Sequence, residues 1–316
     1  MRIVAGSAAL ERPLERAVVT VGNFDGVHLG HRAIMDLVVS RARAHRGEAV
    51  VWTFDPHPRK VLQPERPTPL LTTLEQKLEL LEALGVDVTI IEPFTPEFAR
   101  MAPERFVREL LHGRLRPIEV YVGYDFHFGH DREGSMRLLT ELGPRLGFAV
   151  TIVPEVTIGE SDVNSTRIRS LLAEGDVAQT ATLLGRFYTV RGRVVPGDRR
   201  GRTLGFPTLN LDPDNEILPA GGVYSGHLRF LDAGTPPASS VFGAVTNVGR
   251  RPTFEERSAA IAEAHLLGFD GDAYGRRVEL SFESRLREER RFSGVEALRA
   301  QIACDVEEAR RRLGPA

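Results

Sequence analysis

Two histidines three residues apart, His28 and His31, stand in the run Gly22-Asn23-Phe24-Asp25-Gly26-Val27-His28-Leu29-Gly30-His31. A Val-rich segment precedes this run and a helical pattern follows it. Gly22, Gly26 and Gly30 permit tight turns and close approach of the backbone to a ligand. A helix opening near Gly30 points its unpaired N–H groups at the turn, which suits phosphate. Residues three apart share a helix face. Two imidazoles placed there can stabilise charge developing on a phosphorus centre. They could also bind a metal, but no third His, Cys or carboxylate sits at a supporting spacing. The bland alternative is a solvated turn with incidental histidines. The coincidence of glycines, histidines and a strand-to-helix setting favours the chemistry.

Other segments carry similar signals. Thr53-Phe54-Asp55-Pro56-His57-Pro58-Arg59 is a proline-stiffened loop presenting His57. In Asn164-Ser165-Thr166, followed by Arg167 and Arg169, a Ser or Thr caps the next helix, and with the arginines it forms a second anion cradle. In the second half, Gly197, Arg200, Gly201 and Arg202 make a basic, flexible stretch ending in Pro207-Thr208-Leu209-Asn210. On an extended chain Thr208 and Asn210 face the same side, and their oxygens are hard ligands suited to Mg²⁺. No G-x-x-x-x-G-K-[ST] occurs, which excludes a P-loop kinase. Only Lys60 and Lys77 are lysines, so 39 of the 41 basic residues are arginine. Phosphate is therefore expected to meet Arg, His, backbone N–H groups or a metal rather than a lysine.

These residues need elements to hold them. Ala17–Val21, Ala49–Phe54, Val86–Ile91, Ile118–Val122 and Phe148–Val153 read as strands apolar on both faces. Amphipathic stretches such as Ala33, Ile34, Leu37, Val38 and Leu74, Leu78, Leu81, Leu84 separate them. That alternation predicts an α/β parallel sheet covered on both sides, with ligands at the carboxyl ends of its strands. From Tyr188 the pattern changes to YTVRGRVV, FPTLNL, GVYSGHLRF, SVFGAVTNVG, AEAHLLGF and RRVELSF, punctuated by Gly, Pro and Asp. Short strands with turns between them predict an antiparallel β-barrel or sandwich. A closing helix follows, with an apolar stripe of Val295, Leu298, Ile302, Val306, Ala309 and Leu313. The boundary is expected near Leu184–Phe187, giving domains 1–184 and 185–316.

With 316 residues the chain has room for two cores. A net charge of −2 supplies no sequence-wide field for nucleic acid or an anionic membrane. One cysteine, Cys304, excludes an internal disulfide framework and a cysteine zinc site. It reads as a small apolar filler of the last helix. The start lacks the apolar core of a signal peptide and no run is long enough to span a bilayer, so the expected compartment is the cytoplasm.

GNFDGVHLGH, FDPHPRKVL, VGYDFHFG and NSTRIR stand in the order seen in prokaryotic bifunctional riboflavin kinase/FMN adenylyltransferases, the FAD synthetases. Further on, TNVGRRPTF, AEAHL and LREERRF resemble the kinase segments of the same family. The resemblance covers roughly Ala17 to Leu313. It implies a Rossmann-like HxGH nucleotidylyltransferase domain followed by a kinase barrel with a terminal helix. In the first, the phosphate of FMN attacks the α-phosphate of ATP, giving FAD and pyrophosphate. His28 and His31 would stabilise that transition state. Gly22, Asn23, Phe24, Gly30, Asp125, Ser165, Thr166 and Arg169 would hold the nucleotide, with the flavin near His57. In the second, riboflavin takes the γ-phosphate of ATP. Thr208 and Asn210 would bind Mg²⁺, and Glu263 would act as base. Gly197, Arg200, Gly201 and Arg202 would cradle polyphosphate, with Arg287 and Glu289 at the flavin. Asn164 departs from the family's usual Ser, Ala262 from Val, and Pro196 from a frequent His. The expected substrates are small molecules, handled by a monomer or weak homo-oligomer without nucleic acid or membrane. The rivals are an HxGH transferase with another acceptor, such as a pantetheine or nicotinate phosphate, and a non-catalytic flavin-binding protein.

Overall fold

The computed structural model describes residues 1–159, 161–197, 200–234, 240–250 and 260–314. The chain forms two compact units, Met1–Asn164 and Ser165–Ala316.

The first unit is built on β1 (Arg2–Ala5), β2 (Val18–Val21), β3 (Ala49–Asp55), β4 (Val88–Pro93), β5 (Glu119–Gly123) and β6 (Ala149–Val153). They form one sheet in the order β1-β4-β3-β2-β5-β6, every pair parallel. All four residues of β2 are buried, as expected for a strand covered on both faces. One face packs Val19, Val21, Val50, Trp52 and Ile90 against Phe106, Leu110, Leu111 and Leu139. On the other lie Val18, Ala49 and Tyr121, covered by Ile34, Val38 and Ala42 of the helix Leu29–His45. Each fully buried Val or Ile contributes about 1.5–3 kcal/mol. After β2 the chain builds the sheet outward through β3 and β4, and later through β5 and β6 on the other side. The loops after β2 and β5 therefore flank the point where strand order reverses, the usual ligand crevice of such sheets. A small antiparallel ribbon, β7 (Thr157–Ile158) and β8 (Ser161–Asp162), follows β6.

In the second unit six antiparallel strands close a barrel. They are β9 (Tyr188–Val195), β10 (Leu209–Pro213), β11 (Gly222–Phe230), β12 (Val241–Arg250), β13 (Ala260–Leu266) and β14 (Arg277–Phe282). The order is β12-β13-β10-β9-β14-β11, and β11 pairs with β12 to shut the ring. β15 (Ser284–Arg287) adds to β11 at Val223–Ser225, beside the stretch that β14 occupies. Alternate residues are buried in the interior, large ones such as Tyr224, Phe230 and Phe282 together with small ones such as Ala244, Ala262 and Ala264. Small residues among large ones let this narrow ring close without voids.

The terminal helix Val295–Leu313 lays Val306 and Ala309 on Val223 and Val245. Its stripe is shorter than the sequence pattern suggests, for Val295 is 61% exposed. Asp305 is buried instead, because it receives the Arg287 guanidinium at 2.9–3.0 Å. Cys304 is exposed and fills no gap in the core.

The helices Ser165–Glu174 and Val177–Leu184 fall on the barrel side of the contact boundary, not with the sheet that sequence reading joins them to. Ala220 N–H donates to Leu172 O at 2.8 Å. Arg285 donates to Glu174 O at 3.3 Å and to Gly221 O at 2.7 Å. Those bonds satisfy helix-end carbonyls that otherwise need water or a cap.

Candidate active site

The turn after β2 is shaped by opposed local demands. Phe24 and Val27 hold left-handed backbone, φ +49° and +39°, which is costly for a side chain and most of all for a β-branched one. Two sets of bonds impose it. Asn23 O accepts Lys77 Nζ at 2.9 Å and Thr53 Oγ1 at 3.2 Å. The buried Asp25 carboxylate accepts Leu71 N–H at 3.0 Å and Thr72 N–H at 3.3 Å. Sequence reading kept lysine away from phosphate, yet Lys77 lies buried against the turn where phosphate was expected. Burial pushes its pKa down, while the charges of Asp25 and Asp55 act the other way.

His28 caps the helix Leu29–His45, its Nδ1 accepting His31 N–H at 3.3 Å. In the neutral ring that acceptor role leaves the proton on Nε2, as a donor. The His28 and His31 rings stack with centroids 3.6 Å apart and planes 18° apart. Phe24 meets His31 edge-on at 5.2 Å. A methyl on Gly30 would sit 3.2 Å from the His28 ring and from Val163 O, so glycine lets the helix begin against both. The structure thus brings Gly22, Asn23, Phe24, Gly30, His28 and His31 together at the crevice.

Asp125 is exposed on the loop after β5, at the other lip of that crevice. Its neighbour Tyr124 donates to Glu155. His57 is buried and caps the short helix Pro58–Leu62, accepting Arg59 N–H at 3.1 Å. Ser165, Thr166 and Arg169 lie in the first turns of the helix Ser165–Glu174, in the other unit. The helix begins at Ser165, so the Ser and Thr that sequence reading chose as its cap lie inside its first turn.

Sequence reasoning missed an aromatic chain at the ligand edge of the sheet. From the buried Trp52 it runs through Phe106 and Phe128 to the half-buried Phe54, Phe98 and Phe126, with ring centroids 5.0–6.4 Å apart. These phenylalanines come from separate segments, so no spacing in the sequence announces them.

In the barrel, register does the assembling. Glu263 on β13 lies opposite Asn210 of β10 and Asn247 of β12. Directly opposed antiparallel residues share a face with Cβ atoms about 4.5–5.5 Å apart. The carboxylate therefore stands between two amides, on the face away from the packed interior. Asn247 stands in the TNVGRRPTF segment but was given no role there, because only register shows it opposite Glu263. Asn210 is buried, and its Oδ1 has no hydrogen-bond partner among the described residues. A methyl on Gly201 would come within 3.1 Å of Thr208 Oγ1 and one on Gly197 within 2.7 Å of Asn210 Oδ1, so these two glycines lie against Thr208 and Asn210. An unpaired buried oxygen beside a hydroxyl, under a glycine loop, fits a hard divalent cation.

The side chains of Arg200 and Arg202 lie outside the described residues, as do Asp198, Arg199 and residues 251–259 of the NVGRRPTF segment. The Glu289 carboxylate stands beside Gly221 and Gly249, 2.8 Å from where a methyl on Gly249 would be. Arg287 is engaged otherwise, by Asp305 and by Glu288 O. Its donors hold the terminal helix to β15.

A family model for FAD synthetase matches residues 10–167, and one for riboflavin kinase matches residues 184–313. The chain is 36% identical over 315 residues to the bifunctional riboflavin kinase/FMN adenylyltransferase of Escherichia coli K12, covering 99% of this chain and 98% of that one. It is 34% identical over 299 residues to the protein so named in Bacillus subtilis 168, covering 93% and 92%. A crystal structure described as a macrolide-efflux protein from Streptococcus pneumoniae superposes with a TM-score of 0.88, at 28% identity and 98% coverage of both chains. No helix among the described residues is long and apolar enough to cross a membrane.

Proposed function

The chain belongs to the bifunctional riboflavin kinase/FMN adenylyltransferases, and from that premise we propose which of its residues carry each step. It phosphorylates riboflavin to FMN and adenylylates FMN to FAD. We assign the second reaction to residues 1–184 and the first to residues 185–316, following the order of the motifs.

In adenylylation a phosphate oxygen of FMN attacks the α-phosphorus of ATP, and the bond to the β-phosphate breaks as pyrophosphate leaves. His28, whose Nε2 carries the proton when the ring is neutral, and His31 stacked on it stabilise the charge that builds on the α-phosphate. Asn23 and the backbone of Gly22, Phe24 and Gly30 hold the phosphate chain, aided by Ser165, Thr166 and Arg169. Asp125 lies by the nucleotide. The half-exposed Phe54, Phe98 and Phe126 offer flat apolar surface for the flavin ring. His57 shapes the adjoining loop.

In phosphorylation Glu263 takes the proton from the 5′-hydroxyl of riboflavin as that oxygen attacks the γ-phosphorus and ADP departs. Asn247 and Asn210 flank the carboxylate and orient it. Thr208 and Asn210 would hold Mg²⁺, which when bound neutralises charge on the transferring phosphates. The backbone of Gly197 and Gly201 closes over the triphosphate with Arg200 and Arg202, and Glu289 faces the flavin. The reaction takes place in the cytoplasm on small-molecule substrates, by a monomer or weak homo-oligomer, without nucleic acid or membrane.

The observation that carries the assignment is the alignment of Asn210, Glu263 and Asn247 across three strands beside a buried, unpaired amide oxygen. Chromatography of riboflavin incubated with MgATP tests it. FMN should appear first and FAD after it, and Glu263→Gln should stop both from riboflavin while supplied FMN still becomes FAD. FMN formation that survives this change would overturn the assignment.

A further inference from the structure

We propose that Lys77 is a positioning residue for FMN adenylylation: it clamps the Asn23 carbonyl and so fixes the phosphate-binding turn on which Asn23 and His28 sit. This rests on the reading of the Gly22–His31 turn as the adenylyl-transfer site.

Four observations lead there. Lys77 is 6% exposed, an unusual place for an ammonium that apolar side chains could fill more cheaply. The one hydrogen bond of its ammonium among the described residues goes to Asn23 O, a main-chain atom of the turn, at 2.9 Å. Asp25, two residues further on, is pinned separately by Leu71 and Thr72 N–H. The two clamps therefore bracket Phe24, whose left-handed backbone has no reason to persist unless its neighbours are held on both sides. Finally, the chain uses arginine at 39 of its 41 basic positions, yet has lysine here. A compact point charge fits under a tight turn where a planar fork does not.

A lost charged clamp displaces the turn, and with it the groups that grip triphosphate. Lys77→Met keeps the side chain's length and removes charge and donor together. We expect it to raise the ATP KM for FMN adenylylation about tenfold and to lower kcat about tenfold or more, with riboflavin phosphorylation within twofold of the parent enzyme. Lys77→Gln, which retains an N–H donor, should recover part of the loss. A mere drop in the folded fraction would lower kcat at constant KM, so the KM shift separates positioning from general weakening.

Thr53→Val removes the second hydrogen bond to Asn23 O without burying a mismatch and should shift the ATP KM in the same direction by a smaller factor. This arm decides the matter if Lys77→Met does not fold. The proposal is overturned if adenylylation by Lys77→Met keeps an ATP KM within twofold of the parent, or if Thr53→Val leaves that KM unchanged where the lysine variant is insoluble. His28→Ala runs alongside as a check on the site itself. Adenylylation that survives His28→Ala would condemn the site reading, whereas its loss there with no effect at Lys77 would condemn only the clamp.

Discussion

Gly197→Ala should disable the kinase through a single displaced amide. The new methyl would lie 2.5 Å from Asn210 Cγ and 2.7 Å from Oδ1, and closer still to Nδ2. Non-bonded carbon contacts settle near 3.5–4 Å, so Asn210 must retreat by about 1 Å. A misplacement of that size at a reacting centre costs about 100-fold, or about 2.7 kcal/mol of barrier. Gly197 has no positive φ, so alanine meets no backbone penalty there. The measurement is the initial rate of FMN formation from riboflavin and MgATP, repeated across a magnesium titration. Adenylylation of supplied FMN serves as the internal control and should not change. Because both act on one group, Gly197→Ala combined with Asn210→Ala should be no worse than Asn210→Ala alone. A variant that makes FMN within threefold of the parent rate, or a double variant in which the two losses multiply, would refute this chain of reasoning.

Other expectations follow from the same contacts. His28→Ala should abolish FAD formation while FMN formation survives, and Glu263→Ala should abolish FMN formation while supplied FMN still becomes FAD; either change stopping both reactions in folded protein, each assayed on its own substrate, would end the idea of independent sites. Asp305→Ala strands the half-buried Arg287 and should cost about 2–3 kcal/mol, read as a lowered melting temperature of the barrel. Phe98→Ala should raise the KM for FMN several-fold and leave the KM for riboflavin alone, measured in the two separate assays. Glu119 is held at a pKa of about 2, below its ordinary 4.5, first by the Arg41 guanidinium, against the cost of burial, with His45 and Tyr121 assisting. A depressed acid stabilises the fold above its unfolded pKa and loses that contribution as pH falls toward its folded value. The melting-temperature gap between the parent and Glu119→Gln should therefore be full at pH 6 and shrink between pH 4.5 and 2.

The strands of both halves were legible because burial leaves its period in the residues. GVYSGHLRF coincides with β11, and YTVRGRVV with β9. β1 was missed, since Arg2–Ala5 is four residues long and stands where a leader is looked for. The loss of Val295 and Leu37 from their apolar stripes has the opposite cause. A pattern shows which residues could be buried, and the partner element decides which are. Charged residues in the interior are harder still. Neither Asp305 nor Lys77 looks internal until Arg287, or Asn23 with Asp25 and Asp55, is placed beside it. Motif spacing singled out His28, His31, Thr208 and Asn210, and Glu263 was singled out by its place in a family motif. Asn247 and the aromatic chain needed register and sheet order, which no local spacing contains.

The bonds from Ala220 and Arg285 to the end of the Ser165–Glu174 helix bear on how the protein can be cut. A kinase fragment begun at residue 185 strips away both helices, in which Leu172, Leu183 and Leu184 are buried, and bares the part of β9 and β15 on which helix Val177–Leu184 packs. Such a truncate should clump, whereas one begun at residue 165 should stay dispersed and active. The scissors belong before Ser165, even though the helix that follows carries residues read as serving the other half's nucleotide.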